Sequence, residues 1–225
     1  AASDVYKRQS GTCAVMGTAS TMACITETVG MALPGTAAIP AIHADRLRAA
    51  EASGAKAVHL AQIDHDKQLT PKKIITPASV ENALRILLAV GGSTNAIIHL
   101  TAIAGRLGIP IPLQQLNKLS DETPVLIDLK PTGDHYMEDL FKAGGLGVVL
   151  RELKPLLNLE CLSVTGETLN ERLQNEPAYV NREVVRSFDQ PIQKMGGLVS
   201  LFGSLAPGGA ILKRSAADPT LFESE

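Results

Sequence analysis

The sequence predicts an α/β protein in which a helix-rich first part is followed by the beginning of a β domain. Apolar residues recur at helical spacing over most of the chain, the strand patterns are short, and the last two strand patterns flank a turn at Pro207-Gly208. The 225 residues are enough for a full hydrophobic core in one or two domains. Aromatic residues make up only 3% of the chain, so alanine, leucine, isoleucine and valine must form that core.

Charge and hydropathy exclude several classes of protein. The chain has 21 Lys+Arg and 23 Asp+Glu, a formal charge of −2, and no block of like charges, which argues against binding to nucleic acid or to a membrane surface. No apolar run approaches the roughly 20 residues needed to span a bilayer, and the first residues lack the apolar segment of a secretory signal peptide. We therefore expect a soluble, cytoplasmic protein without nucleic-acid or membrane partners.

The two ends suggest that the sequence is an internal part of a longer protein. Residues 1–9 differ from the rest, and the segment Asp4 to Gln9 resembles the in-frame translation of a transposase adapter used in library preparation. We interpret residues 1–9 as an artefact and leave them out of fold reasoning. The last residues, Leu221 to Glu225, come just after a strand-and-turn pattern has begun, whereas domain boundaries usually fall in polar linkers.

Helices are predicted where apolar residues recur every three or four positions between capping and breaking residues. An apolar stripe runs from Met22 to Leu33 and ends at Pro34-Gly35. Gly54 separates two alanine-rich helices, and Thr76 before Pro77 is a typical helix start. The first half of the chain is thus predicted to contain helices over residues 18–33, 43–53, 56–66, 77–90, 93–107 and 112–119.

The second half mixes short helices with strands. Residues 125–129 and 162–164 are strand candidates, the first of them buried, and helices are predicted over 136–143, 146–157 and 167–173. Residues 177–191 have weak periodicity, which predicts a linker, and strands follow over 197–203 and 209–213. We expect residues 10–185 to be part of an N-terminal α/β domain, and residues 186–225 to be a linker with the first strands of a barrel-like β domain.

Cys13 is the first candidate for chemistry. It lies in a loop of small residues just before a predicted helix, where backbone N–H groups and the helix dipole favour a thiolate that can act as a nucleophile or bind a soft metal. A single loop cysteine is nevertheless more often inert. Cys24 and Cys161 lie in apolar patterns that predict burial, and no Cys-x-x-Cys spacing occurs.

The second candidate is the segment Gly91-Gly-Ser93-Thr94-Asn95. Two glycines leading into Ser93 and Thr94 at a helix start would present free N–H groups, which suit an anion such as a substrate carboxylate. The alternative is a plain glycine break with a Ser/Thr cap. Composition and spacing alone therefore indicate an α/β protein with an activated loop cysteine or a structural one.

Several long motifs, in the same order along the chain, resemble the dihydroxy-acid dehydratase and phosphogluconate dehydratase family. The first is Ser10-Gly-Thr-Cys13-Ala-Val-Met-Gly-Thr-Ala-Ser-Thr-Met22. It is followed by Gly30-Met-Ala-Leu-Pro-Gly35, Gly91-Gly-Ser-Thr-Asn-Ala96, Pro124-Val-Leu-Ile-Asp-Leu-Lys-Pro-Thr-Gly133, Met137-Glu-Asp-Leu140 and Val164-Thr-Gly-Glu-Thr-Leu169. The resemblance covers the chain from Ser10 to its end.

This resemblance implies a hydro-lyase that converts a 2,3-dihydroxy acid into a 2-keto-3-deoxy acid. In the family an iron–sulfur cluster, [2Fe–2S] or [4Fe–4S], acts as a Lewis acid on the leaving 3-hydroxyl, and Mg²⁺ holds the carboxylate and the 2-hydroxyl. Cys13 corresponds to one of the three cluster cysteines, and residues 10–185 would then belong to the cluster-binding domain. Ser93 and Thr94 become candidates for substrate binding.

The resemblance also implies that essential residues lie outside this sequence. The other two cluster cysteines, the Mg²⁺ ligands and a carbamylated lysine of the family precede the position of Ser10. The serine that acts as the base, and a further metal-binding acid, belong to the C-terminal β domain. We therefore expect no catalytic base in this chain and no activity from it alone, and we expect the whole protein to be a homodimer or homotetramer.

The resemblance also indicates the class of substrate. The segment from Cys13 to Thr21 is more similar to the sugar-acid (aldonate) dehydratases, such as those acting on pentonates, than to the branch that serves valine and isoleucine synthesis. A dihydroxy-acid dehydratase of that second branch is the alternative. Outside the family, the alternatives are a non-catalytic α/β domain with a structural Cys13 and an enzyme that uses Cys13 as its nucleophile.

Overall fold

The computed structural model describes residues 13–63, 69–217 and 220, so the interpretation of residues 1–9 as an artefact lies outside the described residues. In those ranges the chain forms nine α-helices and one two-stranded sheet. The helices are α1 Thr18–Thr28, α2 Ala44–Gln62, α3 Pro71–Ile74, α4 Pro77–Ala89, α5 Asn95–Gly105, α6 Leu113–Glu122, α7 Met137–Lys142, α8 Gly145–Glu152 and α9 Leu169–Gln174; the strands are β1 Val199–Leu201 and β2 Ala210–Leu212. None of the helices in these ranges is long and apolar enough to cross a membrane.

Helix α4 is the centre of the fold. Its start agrees with the prediction: Thr76 and Ser79 form a capping box, in which the Ser79 amide donates to Thr76 Oγ1 over 3.2 Å and the Thr76 amide donates to Ser79 Oγ over 2.8 Å. Most of the helix is buried, because α1, α5 and α6 all pack against it. A second apolar cluster is formed by α7, α8, α9 and the extended segment 125–129.

Helix α1 ends five residues earlier than predicted. The chain leaves the helix at Gly30, which has a φ of +86° and lies so close to another segment that a Cβ atom would be 2.8 Å from the Cα atom of Ser163. The Val164 amide donates to the Gly30 carbonyl over 2.8 Å. The helix therefore ends where a distant segment contacts it, and not at Pro34-Gly35.

The buried carboxylate of Glu27 fixes the loop that follows α1. Glu27 is 1% exposed, and its two oxygens accept hydrogen bonds from the amides of Gly35 (2.9 Å) and Ala37 (2.7 Å). The guanidinium of Arg172, on α9, forms an ion pair with the same carboxylate and also with Glu176. A buried charge of this kind is tolerated only when it is paired and hydrogen-bonded, as it is here.

The predicted linker over 177–191 is wrong for its central part. Val184 and Val185 are buried, and the segment pairs with residues 125–129: the Asp128 amide donates to the Val184 carbonyl (2.9 Å) and the Arg186 amide to the Leu126 carbonyl (2.8 Å). The segment buries only two adjacent apolar residues and pairs through an isolated bridge between Val185 and Ile127. Such a segment has neither the alternation of a strand nor the spacing of a helix, so its sequence did not predict the pairing. The predicted strand at 125–129 is therefore extended and buried, but it forms single bridges and not a ladder.

The two predicted strands near the end of the chain are confirmed in shorter form. Strands β1 and β2 pair antiparallel, with Val199 opposite Leu212. The sheet is attached to α6 because the Asn117 amide group donates to the Ser200 carbonyl (2.8 Å) and accepts from the Ser200 amide (2.6 Å). A helix-rich α/β fold with this small sheet is what the described residues show; the barrel-like continuation and the domain division remain predictions.

A substitution at Gly54 tests whether α2 is one continuous helix. The two alanine-rich helices predicted on either side of it form one continuous helix, and no atom lies within 4 Å of the position that a Gly54 Cβ would occupy. Gly54→Ala should raise the free energy of unfolding by about 1 kcal/mol, because alanine loses less backbone entropy in a helix. Urea unfolding followed by circular dichroism measures the change.

The matched control is Gly35→Ala. Gly35 also faces open space, but its φ of +79° lies in the left-handed region, so alanine should destabilise the protein there by about 1–2 kcal/mol. A Gly54→Ala variant less stable than the wild type would show that α2 is interrupted at this residue.

Candidate functional site

The loop that carries Cys13 is held from both sides by the segment 130–137. The Met16 amide donates to the Lys130 carbonyl over 2.8 Å, and the Met137 amide donates to the Ala14 carbonyl over 2.9 Å. The Cys13 side chain is half-buried, and a Cβ atom at Gly17 would lie 3.5 Å from its sulfur. The thiol is thus fixed next to Gly17, immediately before α1 begins.

The structure brings the two candidate segments of the sequence together. The hydroxyls of Thr18 and Ser93 are hydrogen-bonded at 2.9 Å, and the Asn95 side-chain amide donates to Thr18 Oγ1 over 3.1 Å. The Ser93 amide donates to Thr21 Oγ1 over 3.1 Å. The start of α1, next to Cys13, therefore contacts the turn that starts α5, although the two segments were predicted as separate candidates.

Four amides of the turn at 91–95 already have hydrogen-bond acceptors within the chain. The Gly91 and Gly92 amides donate to the carbonyls of α4, the Ser93 amide donates to Thr21, and the Asn95 amide donates to Ser93 Oγ over 3.3 Å. Binding of a carboxylate by N–H groups of this turn remains a prediction, and these four amides could contribute to it only by giving up their present acceptors. Side-chain hydroxyls are the other groups through which the turn could contact a substrate.

Thr94 is the side chain in the turn that best fits such a contact. It is half-buried, and it occupies the N-cap position of α5 without making a side-chain capping bond. Ser93, in contrast, uses its hydroxyl to bond Thr18 and the Asn95 amide. Substrate binding by Ser93 and Thr94 remains a prediction, and the geometry favours Thr94 for the contact and Ser93 for holding the turn.

Lys130 and Tyr136 form an exposed polar pair beside the Cys13 loop that sequence reasoning did not single out. The Lys130 ammonium donates to the Tyr136 hydroxyl over 2.9 Å and lies 4.6 Å from the centre of the tyrosine ring. The hydrogen bond to Tyr136 raises the pKa of Lys130. Lys130 lies within the motif from Pro124 to Gly133 and Tyr136 precedes the motif that begins at Met137, but no local spacing rule connects a lysine with a tyrosine six residues later.

The other two cysteines lie in surroundings different from those of Cys13. Cys24 is fully buried in the core, as predicted, and burial raises the pKa of its thiol to about 12. Cys161 is only half-buried and lines a cavity of about 280 Å³ with Lys73 and Thr76. Within the residues that the structure describes, no three His, Cys, Asp or Glu side chains come together as a metal site.

The three thiols should differ strongly in reactivity toward iodoacetamide in the metal-free, folded protein at pH 8. A pKa of about 12 leaves Cys24 with roughly a thousandfold less thiolate than an ordinary thiol, and the side chain is shielded from the reagent. Burial also raises the pKa of Cys161. Peptide mass spectrometry should therefore find Cys13 labelled first and Cys24 only after denaturation; early labelling of Cys24 would contradict the buried position.

Gly92 should not accept a larger residue. A Cβ atom there would lie 2.7 Å from the side-chain carbons Leu87 Cδ1 and Thr21 Cγ2. Gly92→Ala should lower the free energy of unfolding by about 1–3 kcal/mol, because the close packing of α1 and α4 leaves no room for a methyl group. Gly105→Ala, with no atom within 4 Å, is the control in the same urea titration. Equal stability of the two variants would show that this packing is looser than described.

Two family models together match almost the whole chain. The N-terminal model, described as dihydroxy-acid/6-phosphogluconate dehydratase N-terminal, matches residues 2–172, and the corresponding C-terminal model matches residues 183–225. Among similar proteins, the dihydroxy-acid dehydratase of Caldanaerobacter subterraneus is 42% identical over 96% of this chain. That of Caldicellulosiruptor bescii is 45% identical over 95% of the chain.

The chain spans only 38% of the length of these two relatives. The resemblance drawn from the motifs is nevertheless confirmed, since the first family model alone covers far more than half of the residues. This chain belongs to the dihydroxy-acid/6-phosphogluconate dehydratase family.

Proposed function

We propose that the protein containing this chain is a dihydroxy-acid dehydratase, a hydro-lyase that removes water from a 2,3-dihydroxy acid to give a 2-keto acid. In this reaction the C2 proton and the C3 hydroxyl leave together as water, and the resulting enol tautomerises to the ketone. The observation that supports the proposal best is the junction of the Cys13 loop with the turn at 91–95, joined by the bond between Thr18 and Ser93.

Among the residues present, Cys13 fits the role of one ligand of an iron–sulfur cluster. Cys13 offers a half-buried thiol on a loop that is fixed by backbone hydrogen bonds, which is the setting expected of a cluster ligand. Cys24 and Cys161 do not fit as further ligands, because Cys24 is buried in the core and Cys161 lines a separate cavity. When bound, the cluster supplies a Lewis acid that makes hydroxide a better leaving group.

The roles we assign to this chain are binding and orientation. Cys13 holds the cluster, and the half-buried Thr94 hydroxyl contacts an oxygen of the substrate. Ser93 holds the turn in place through its bonds to Thr18 and Asn95. We assign the Mg²⁺ ligands and the base that removes the C2 proton to parts of the protein outside this sequence, following the family resemblance.

The names of the relatives support the branched-chain substrate over the sugar acid favoured by the segment from Cys13 to Thr21. Relatives that are 42–45% identical over nearly the whole chain are named dihydroxy-acid dehydratases. We therefore propose 2,3-dihydroxyisovalerate as the substrate, in valine and isoleucine synthesis. An aldonate remains the second candidate, favoured by the sequence Gly17-Thr-Ala-Ser-Thr21 after the cysteine.

We also propose that the whole protein works in the cytoplasm as a homodimer or homotetramer. The isoleucine side chains Ile98 and Ile103 of α5 are exposed, at 68% and 39%, on the helix that begins at the candidate site. Apolar side chains exposed in this way are consistent with a surface that another subunit covers in the assembled protein.

The test is to express the whole gene anaerobically and to measure keto-acid formation from 2,3-dihydroxyisovalerate and from pentonates. We expect turnover of dihydroxyisovalerate and a brown protein. Cys13→Ser should lose iron and reduce kcat/KM at least roughly a hundredfold, because a metal-polarised leaving group stabilises the transition state by several kcal/mol.

Cys161→Ser is the matched control, since Cys161 is half-buried like Cys13 but lies outside the site. It should keep both iron and activity. Turnover of pentonates alone would replace the proposed substrate with a sugar acid. Full activity in Cys13→Ser, or in a protein without iron, would refute the assignment of Cys13.

A further inference from the structure

The hydroxyl of Thr21 joins the two halves of the candidate site through a single atom. Thr21 is fully buried, and its Oγ1 donates to the Gly17 carbonyl over 2.8 Å while accepting from the Ser93 amide over 3.1 Å. Gly17 belongs to the loop of Cys13, whereas Ser93 belongs to the turn before α5. A threonine hydroxyl has one donor and two acceptor positions, so both contacts can form at once.

The hydrogen bond from Thr21 to Gly17 holds the residue against which the Cys13 thiol packs. The Gly17 carbonyl accepts from both the amide (3.0 Å) and the hydroxyl of Thr21, and the Gly17 amide donates to Val15 over 2.8 Å. Gly17 is therefore held by hydrogen bonds at its amide and at its carbonyl. The Cys13 sulfur lies 3.5 Å from the place that a Cβ atom of Gly17 would occupy, so the thiol packs against Gly17 and a shift of Gly17 would change its surroundings.

The methyl group of Thr21 contributes packing and not hydrogen bonding. It packs against Gly92, where an added Cβ would be 2.7 Å from Thr21 Cγ2. Valine in place of threonine keeps this methyl packing and removes the hydroxyl, whereas serine keeps the hydroxyl and removes the methyl group. The two substitutions therefore separate hydrogen bonding from packing at the same buried position.

We propose that Thr21 is a positioning residue that holds the Cys13 thiol in register with the turn at 91–95, through its paired bonds to Gly17 and Ser93. For catalysis this inference rests on the proposed function, because a cluster ligand and a substrate-binding turn must keep a fixed separation. The positioning itself concerns only residues of this chain. The bond between Thr18 and Ser93 is a second connection, so loss of the Thr21 hydroxyl should loosen the junction and not abolish it.

Thr28 provides a matched control on the same helix. It is also buried, and its hydroxyl donates to the Cys24 carbonyl over 2.8 Å, four residues earlier, as the Thr21 hydroxyl does to Gly17. Thr28→Val thus removes the same kind of bond within α1 but leaves the junction with Ser93 intact. Any general effect of replacing a buried helical threonine should appear in both variants.

The experiment measures the alkylation rate of Cys13, by peptide mass spectrometry, in the whole protein prepared without its metal. Thr21→Val should raise this rate about fivefold, within the range that loss of one hydrogen bond produces in a conformational equilibrium. Thr21→Ser and Thr28→Val should stay within about twofold of the wild type, because both keep the hydrogen bonds of residue 21 with Gly17 and Ser93. After reconstitution, Thr21→Val should also retain less iron and sulfide, with an altered visible spectrum.

If Thr21→Val does not fold, as judged by circular dichroism, Thr21→Ala is compared with Thr21→Ser, because these two variants differ only in the hydroxyl, and the same increase is expected. A wild-type rate in the folded variant would overturn the proposal, and so would an equal increase in Thr28→Val, since the effect would then be structural. Absence of iron and of dehydratase activity in the wild type would refute the proposed function alone. The alkylation rates would still decide whether Thr21 positions Cys13.

Discussion

The buried carboxylate of Glu27 is the interaction on which the arrangement of α1 depends. A charge that is 1% exposed needs partners at every oxygen, and it takes them from the loop at 35–37 and from Arg172 on α9. Removal of Arg172 would leave an uncompensated charge in the core, which costs several kcal/mol. The carboxylate therefore fixes where the loop after α1 runs and where α9 docks.

Helix α1 is consequently held by an ion pair near its C-terminus and by a hydrogen bond near its N-terminus. Glu27 fixes its C-terminal turn through an ion pair in the core, while the hydroxyl of Thr21 fixes its N-terminal turn against Ser93. Between them the helix packs along α4, the most deeply buried helix of the fold. Such a rigid element suits a site built at its N-terminus, because positions at the site are then set by the core and not by the loops alone.

Local signals in the sequence predicted local structure well, and contacts between distant segments account for the errors. The Thr76-Pro77 helix start needs only neighbouring residues, and it was correct. The end of α1 at Gly30 depends on Ser163, more than a hundred residues later, and no local pattern contains that information. Cys13 could be found from its motif, but its link to the turn at 91–95 required the fold.

The pairing of residues 184–186 with 125–129 has a consequence for how family members can be recombined. The C-terminal family model begins at residue 183, so Val184 and Val185 belong to the second matched region by sequence. By packing, they belong to the core of the first. A chimera joined at the sequence boundary would place side chains of one parent in a core built by the other. Because Phe188 packs against the same core, a crossover that preserves it must fall beyond residue 188.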